Sequence, residues 1–408
     1  MKVLVISATF PPMRSGGADH AFQLCQRLAE SRLDVHVVTS CIKNVATNPR
    51  MRVYPLIRRW SWLEMPRLLK IVRRCRPDVV NLHFTGPIYN NHPMVTFTPT
   101  FLKRLIPRVR VVTHIEYPAG VRMDLMPLAT RAVRRVVAHM VGADGVDYGY
   151  GTILRDSDRI IILSDTHRFI LSRHLSGVDR KCVLIPPPPI IPMCTESNGG
   201  AWRRGREALQ VTPDEFLVAY YGYLYPSKGI ETLLEAFRLV AEQRVEVRLV
   251  MVGGGNEVVL KMLNRPRYPQ DLQDLSARLG IADKVIWTGY YPSNSDQASL
   301  YLRAADVCVL PFDNGVNLHR SSIAAAAAHG LPIITTKGEI LEFPFIDQKN
   351  VLLCPPKDPK SLAVAIDSLI SNAELRARLH MGSLQLADEW FSWDKALQRT
   401  IEAFKSIA

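Results

Sequence analysis

The stretch Val307-Cys-Val-Leu-Pro-Phe-Asp-Asn-Gly-Val-Asn-Leu-His-Arg-Ser-Ser-Ile-Ala-Ala-Ala-Ala-Ala-His-Gly-Leu-Pro-Ile-Ile-Thr-Thr336 decides the fold class of this chain. It reads as a buried strand, a polar loop holding a glycine, a short alanine-rich helix, a glycine stop and a second buried strand. Such a unit carries its loop and its helix N-terminus to the carboxyl edge of a parallel sheet. Free backbone N–H groups there hold anions, phosphates above all. Ser321 and Ser322 stand where an N-cap hydroxyl belongs, Arg320 adds a full positive charge, and Gly330 ends the helix. A crossover that binds nothing has the same pattern, so this stretch leaves a phosphate site and a plain crossover both open.

The same alternation extends outward in both directions. Val3–Ser7, Asp34–Thr39, Val79–His83, Arg110–His114, Ile160–Ser164 and Val183–Ile185 read as strands, and Ala18–Glu30 has helical spacing at Ala21, Leu24, Cys25 and Leu28. The run Ile185-Pro-Pro-Pro-Pro-Ile-Ile-Pro192 cannot be helical and reads as a stiff extended linker. A second series follows it, with strands at Phe216–Tyr221, Val247–Val252, Lys284–Trp287, Asp306–Leu310, Pro332–Thr335 and Asn350–Leu353. Helices are expected at Gly229–Glu242, Pro359–Ser371, Ala373–Trp390 and Trp393–Ile407. Short apolar runs separated by helices indicate parallel sheets covered on both faces. The expected fold is α/β, with two Rossmann-like doubly wound domains, residues 1–192 and 193–390, facing across a cleft where ligands of such folds gather.

Composition narrows the class further. No apolar run reaches the ~20 residues of a membrane span, and Met1–Ser7 reads as a first strand rather than a signal peptide. The seven cysteines are scattered without a Cys-x-x-Cys pair, which predicts buried reduced thiols in a cytoplasmic protein rather than disulfides or zinc. Positive charge is concentrated: residues 51–140 hold sixteen Lys and Arg against four Asp and Glu, +12 of the chain's formal +13. Within Pro66–Arg76, Arg67, Lys70 and Arg74 share one helical face and Leu68, Val72 and Cys75 another, with Trp60 and Trp62 nearby. This region, residues 51–76, reads as a helix lying on an anionic membrane surface, as a solvated helix face, or as a nucleic-acid contact.

Four local patterns could carry chemistry. Gly16 and Gly17 stand just before a helix and let backbone approach a ligand, or form a mere turn. They lack the Gly-x-Gly-x-x-Gly dinucleotide fingerprint. Lys228, in Gly222-Tyr-Leu-Tyr-Pro-Ser-Lys-Gly229, sits at a helix mouth where it neutralises a diphosphate or is simply solvated. His114 ends a strand and is placed to hydrogen-bond a sugar hydroxyl or to be a satisfied core histidine; His83 and His20 share that kind of position. No His/Cys/Asp/Glu spacing suggests a metal site, and Gly-x-Ser-x-Gly is absent.

Assembled, these residues resemble retaining glycosyltransferases of the GT-B fold, glycosyltransferase family 4. The motifs in order are Gly16-Gly17, Val112-Thr-His114, Ile162-Leu-Ser164, Gly222 to Lys228-Gly229, Val252-Gly-Gly-Gly255, Thr288-Gly289, Leu310-Pro311, Gly330-Leu-Pro332 and Phe391-Ser-Trp393. The resemblance implies transfer of a sugar from a nucleotide-sugar, UDP by family habit, to a glycan or lipid-linked acceptor in polysaccharide or exopolysaccharide biosynthesis. It implies no cofactor, no obligatory metal and no nucleic-acid partner. The location implied is the cytoplasm or the inner face of the membrane. It further implies that residues 391–408 cross back to the first, acceptor-binding domain. Lys228 would bind the diphosphate, Gly16 and Gly17 would cap it, the backbone at Gly289 and Tyr290 would hold the base, and His114 would approach the donor sugar.

The chain departs from the family at three places. Tyr223 stands where an arginine is usual, and Asn317 and Ala325 stand where two glutamates are usual. A variant motif, Pro-Phe-x-x-Gly-Val-x-x-x-Arg-x-Ser, replaces them. It implies that Arg320, Ser321 and Ser322 take over donor contacts, within a donor segment running Asn314, Gly315, Val316, Asn317 to Ser322. Two alternatives fit the same motifs: a GT-B nucleotide-sugar epimerase, and a non-catalytic relative that binds nucleotide or membrane.

Overall fold

A computed structural model describes residues 1–118, 128–140, 142, 149–291 and 295–407. The chain divides into two compact units, Met1–Pro186 with Asp394–Ala408, and Pro187–Trp393. The division falls inside the proline run, whose Pro189 carbonyl accepts a 2.7 Å hydrogen bond from Trp393 Nε1.

The first unit holds β1 (Lys2–Ile6), β2 (Asp34–Ser40), β3 (Met51–Ile57), β4 (Val79–Phe84), β5 (Arg110–Ile115), β6 (Arg159–Ile162) and β7 (Cys182–Leu184). All pair in parallel, in the order β3-β2-β1-β4-β5-β6-β7. The second unit holds β8 (Phe216–Tyr221), β9 (Val247–Val252), β10 (Val285–Gly289), β11 (Val307–Leu310), β12 (Ile333–Thr336) and β13 (Leu352–Cys354), also parallel, in the order β10-β9-β8-β11-β12-β13. The α/β doubly wound expectation therefore holds for both units. Inner strands are apolar on both faces, as at β4, where every residue is buried, because helices cover both sides.

Chain order reverses between β1 and β4 in one sheet and between β8 and β11 in the other. At such switch points the loops leave in opposite directions and open a crevice at the strands' carboxyl ends. The loops after these strands hold Gly16–Gly17, His83, Gly222–Gly229 and Asp313–Arg320 or lie beside them.

Several expectations need correction. β3 was not legible, because an edge strand with exposed Arg52 and Leu56 and an internal Pro55 has no continuous apolar run. The basic helix (Met65–Cys75) buries Leu68, Leu69, Val72 and Cys75 in the core, so its apolar face is already covered. Trp60 is buried too, edge-on to Tyr89 at 4.8 Å with its Nε1 donating to Ser40 Oγ. Only the arginine and lysine face of this helix meets solvent. All seven cysteines are free, but Cys41 is exposed, just past the end of β2.

Candidate functional site

In the second unit, Gly229 turns the chain from Lys228 into the helix Ile230–Ala241 with φ 69°. A Cβ there would lie 1.8 Å from the Pro311 carbonyl oxygen, so only glycine lets this turn press against the end of β11. That contact places Lys228 deep in the protein. Its ammonium sits 4.8 Å from the Tyr225 ring centroid and 5.2 Å from that of Phe312. The Arg320 guanidinium lies over the same Phe312 ring at 4.3 Å. Burial lowers the Lys228 pKa; the Arg320 charge pushes the same way and Tyr225 opposes. Burial pushes the Tyr225 phenol up, but the Lys228 and Arg320 charges outweigh it and leave it below its ordinary value. Among the described residues no carboxylate forms an ion pair with Lys228. A buried cation held by a phenol and an aromatic face, with no carboxylate to neutralise it, is a place for an anion.

The helix Ser321–Ala328 begins one residue earlier than its sequence suggests. Arg320, still extended at φ −85° and ψ 94°, is the N-cap and makes no side-chain cap. Ser321 and Ser322 are therefore the first two helical residues, not capping hydroxyls. Ser322 is buried, its Cβ 3.7 Å from where a Cβ on Gly222 would stand, so the two loops of the switch point meet here. Tyr223 is half-buried and its carbonyl accepts from Tyr220 Oη at 3.3 Å. Asn314 is exposed, and Gly315 (φ 81°) packs on Gly338. Val316 is core, its N–H donating to Thr336 at 2.8 Å. Asn317 is half-buried with no partner for its Oδ1. The next residue's N–H donates to Glu342 Oε2 at 2.7 Å, so a buried carboxylate from downstream braces the loop that lacks the family's glutamates.

A cavity of about 660 Å³ lies beside the Gly222 loop, between Leu224, Gly253–Gly255, Leu260, Pro269 and Trp287–Tyr290. The Tyr290 ring lies flush on Gly254, where a Cβ would meet it at 2.8 Å, and its hydroxyl donates to the Gly255 carbonyl. Gly289 has φ 67° at the same wall. An apolar slot with an aromatic side fits a flat heterocycle. Lys228 does not line it; the cation and the slot share the Gly222–Gly229 loop through Leu224, which pairs with Gly255.

In the first unit, Ser15 caps the helix Gly16–Glu30 by accepting from the Ala18 N–H, so the glycine pair forms its first turn. The Glu116 carboxylate lies over Gly17: a Cβ there would be 2.6 Å from Oε2. The same carboxylate takes Thr85 Oγ1 at 3.1 Å and lies 3.4 Å from His83 Nδ1. His114 is fully buried, stacked on His83 at 4.6 Å and edge-on to His20 at 5.1 Å, and neither of its ring nitrogens has a hydrogen-bond partner. Burial lowers the pKa of His20 to about 4 and, together with neighbouring histidine charges, that of His114 well below its ordinary value. Burial pushes Glu116 up, but hydrogen bonding and charge from His83 win and keep it low. The result is a carboxylate kept low beside two imidazoles, His20 and His114, whose pKa values burial depresses.

The structure thus gathers His20, His83, His114 and Glu116, of which only His114 was singled out strongly from sequence. His20, His83 and Glu116 bring ligand atoms within 4.8 Å of one another, a group able to hold a cation. No spacing in the sequence could show this, since the three residues come from a helix, a strand and the residue just past another strand. Glu116 itself was visible only as an acid just beyond a strand end; Tyr225, Phe312 and Trp287 carried no signal separable from core packing.

Residues 14–188 match the profile described as Glycosyltransferase Family 4, and residues 215–372 that of Glycosyl transferases group 1. By these two matches the chain belongs to the family 4 type glycosyltransferases, and its fold is GT-B. It is 28% identical over 256 residues to the D-inositol 3-phosphate glycosyltransferase of Streptomyces avermitilis, covering 62% of this chain and 52% of that one. To the protein of the same name from Stackebrandtia nassauensis it is 29% identical over 261 residues, covering 63% and 56%. The chain spans about half the length of the curated relatives it matches. Its fold is shared by sucrose-phosphate synthase from Thermosynechococcus elongatus, with TM-score 0.70, 18% identity and coverage of 100% and 98%. It is shared equally by Anabaena HepE, solved in complex with UDP and glucose, with TM-score 0.70, 16% identity and full coverage of both chains.

Proposed function

We propose that the protein transfers a sugar, with retention at the anomeric carbon, from a UDP-sugar to a glycan or lipid-linked acceptor in polysaccharide assembly at the cytoplasmic face of a membrane. The observation that carries this reading is the buried Lys228, supported on Tyr225 and Phe312 beside Arg320 and without a carboxylate partner. In this reading the nucleotide base enters the slot at Tyr290, and Lys228 and Arg320 meet the diphosphate. They supply the positive charge that a metal would otherwise provide. The bond from the anomeric carbon to the phosphate oxygen breaks as the acceptor oxygen bonds to the same face. The departing phosphate takes the acceptor's proton, so no protein nucleophile is required. The choice of UDP is supported by the UDP held in HepE.

The test is thermal stability against UDP-, GDP- and ADP-sugars, for wild type and Lys228→Ala. A ligand at 100 times its Kd stabilises by about 2.7 kcal/mol. A shift with the UDP series alone, lost in the variant, is expected. A shift with another base corrects the donor, and no shift with any of them ends the reading.

A further inference from the structure

We propose that the outward face of the helix Leu128–Met140, with Leu63 beside it, docks into the headgroup layer of an anionic lipid bilayer. This helix is inverted relative to an ordinary surface helix. Its inward positions include Arg134 and Ala138, both buried. Its outward stripe is aliphatic apart from exposed His139: Leu128, Ala132, Val136 and Met140 follow one another at four-residue steps and so share one face. Leu128 is 78%, Val136 59% and Met140 69% exposed.

A second segment joins the surface. Ala138 packs with Phe97, and Trp62, Phe101 and Val137 pack against that pair. Trp62 opens the turn Trp62–Glu64, whose Leu63 is 91% exposed. Trp62 is thus a strut beneath the surface, and Leu63 is what it presents.

Charge selects the occupant. The segment 128–140 contains no Asp or Glu. Arg131 and Arg135 run along one edge of the stripe, Arg104 binds the Met140 carbonyl at 3.0 Å, and exposed Arg58 and Arg59 precede Leu63, while Arg67 is paired with Glu64. Aliphatic groups rimmed by guanidinium groups match acyl chains beneath lipid phosphates. Two copies meeting across a two-fold axis would set these arginines against each other. Nucleic acid would leave the aliphatic stripe without a partner. At ~1.5 Å per residue, thirteen residues fall short of the ~30 Å hydrocarbon layer, and no helix among the described residues is long and apolar enough to cross a membrane. The helix therefore lies on the bilayer. The docking serves the membrane-borne acceptor of the proposed function and rests on that reading for its purpose, while vesicle binding measures it without turnover.

The experiment is co-flotation of the whole chain with vesicles of phosphatidylcholine alone or mixed equally with phosphatidylglycerol. Wild type is expected to float with the mixed vesicles and at least tenfold less with phosphatidylcholine. The double variant Val136→Asp, Met140→Asp is expected to lose at least tenfold in binding while keeping the wild-type melting temperature and UDP-sugar shift. Both side chains are solvent-facing, so folding does not depend on them; Arg131→Ser with Arg135→Ser gives the same loss should the first variant misfold. Undiminished flotation of both variants, or no flotation of wild type, overturns the proposal. A dimer in light scattering that the Asp variant dissolves, without vesicle binding, overturns it in favour of self-association. Loss of the UDP-sugar shift in wild type defeats the transferase reading and leaves the flotation result standing.

Discussion

The two units use one topology and opposite electrostatics. Each has a parallel sheet with a reversal of strand order, and each gathers its unusual residues at the carboxyl ends beside that reversal. In the first unit those residues are buried histidines around the Glu116 carboxylate, with the His20 and His114 pKa values depressed by burial. In the second they are the Lys228 and Arg320 cations on aromatic rings. The sheet settles where a site lies, because only there do loops diverge and helix N-termini converge. Loop side chains settle its charge, and hence whether it receives hydroxyls or phosphates.

The comparison is tested hardest at Lys228. Lys228→Ala should lower kcat/KM by about 2.7–4 kcal/mol of transition-state stabilisation, the cost of losing one well-placed electrostatic donor. Steady-state kinetics with a UDP-sugar checks it, and a loss of less than threefold would take Lys228 out of the site. His114→Ala, by contrast, should leave the UDP-sugar melting shift of the protein intact, since the proposed function assigns the nucleotide to the other unit.

Acid separates the units next. His20, with its pKa lowered from 6.5 to about 4, and His167, lowered to about 3, bind protons more weakly folded than unfolded. Stability must therefore fall as pH drops below 6.5. Each costs about 2 kcal/mol between pH 7 and pH 5. His329, lowered to about 4, is the corresponding group in the second unit. Hydrogen exchange at the two pH values should show the first unit losing more protection; equal losses would mean that its extra buried histidines are compensated.

Smaller effects follow from the glycines. Gly229→Ala places a Cβ against a backbone oxygen at positive φ and should cost about 1–3 kcal/mol in denaturant unfolding. Gly17→Ala meets only the end of the Glu116 side chain and should cost less than Gly229→Ala. If the order is reversed, the Glu116 carboxylate is held more rigidly than the backbone at Pro311. Tyr290→Phe removes one hydrogen bond to Gly255 and should change stability by about 1 kcal/mol. It should leave the cavity's aromatic wall in place, so an unchanged UDP-sugar shift is expected from the proposed function.

By itself the sequence determined the alternation of strand and helix, the division at the proline run and where the loops between them fall. Those are local patterns: β-branched runs, Gly and Pro punctuation, and cations at helix mouths, each legible within about ten residues. Lys228, Arg320 and His114 were singled out this way. Only the tertiary structure decided what surrounds them. Phe312 lies between the two cations because Gly229 presses on Pro311, a contact across eighty-two residues. Glu116 meets His83 because β4 and β5 run side by side in register. The basic helix Met65–Cys75 looked amphipathic enough for a membrane, yet its apolar face was already used by the core. The helix Leu128–Met140 drew no notice in the sequence, because periodicity shows that a helix has two faces without showing which one the fold turns inward.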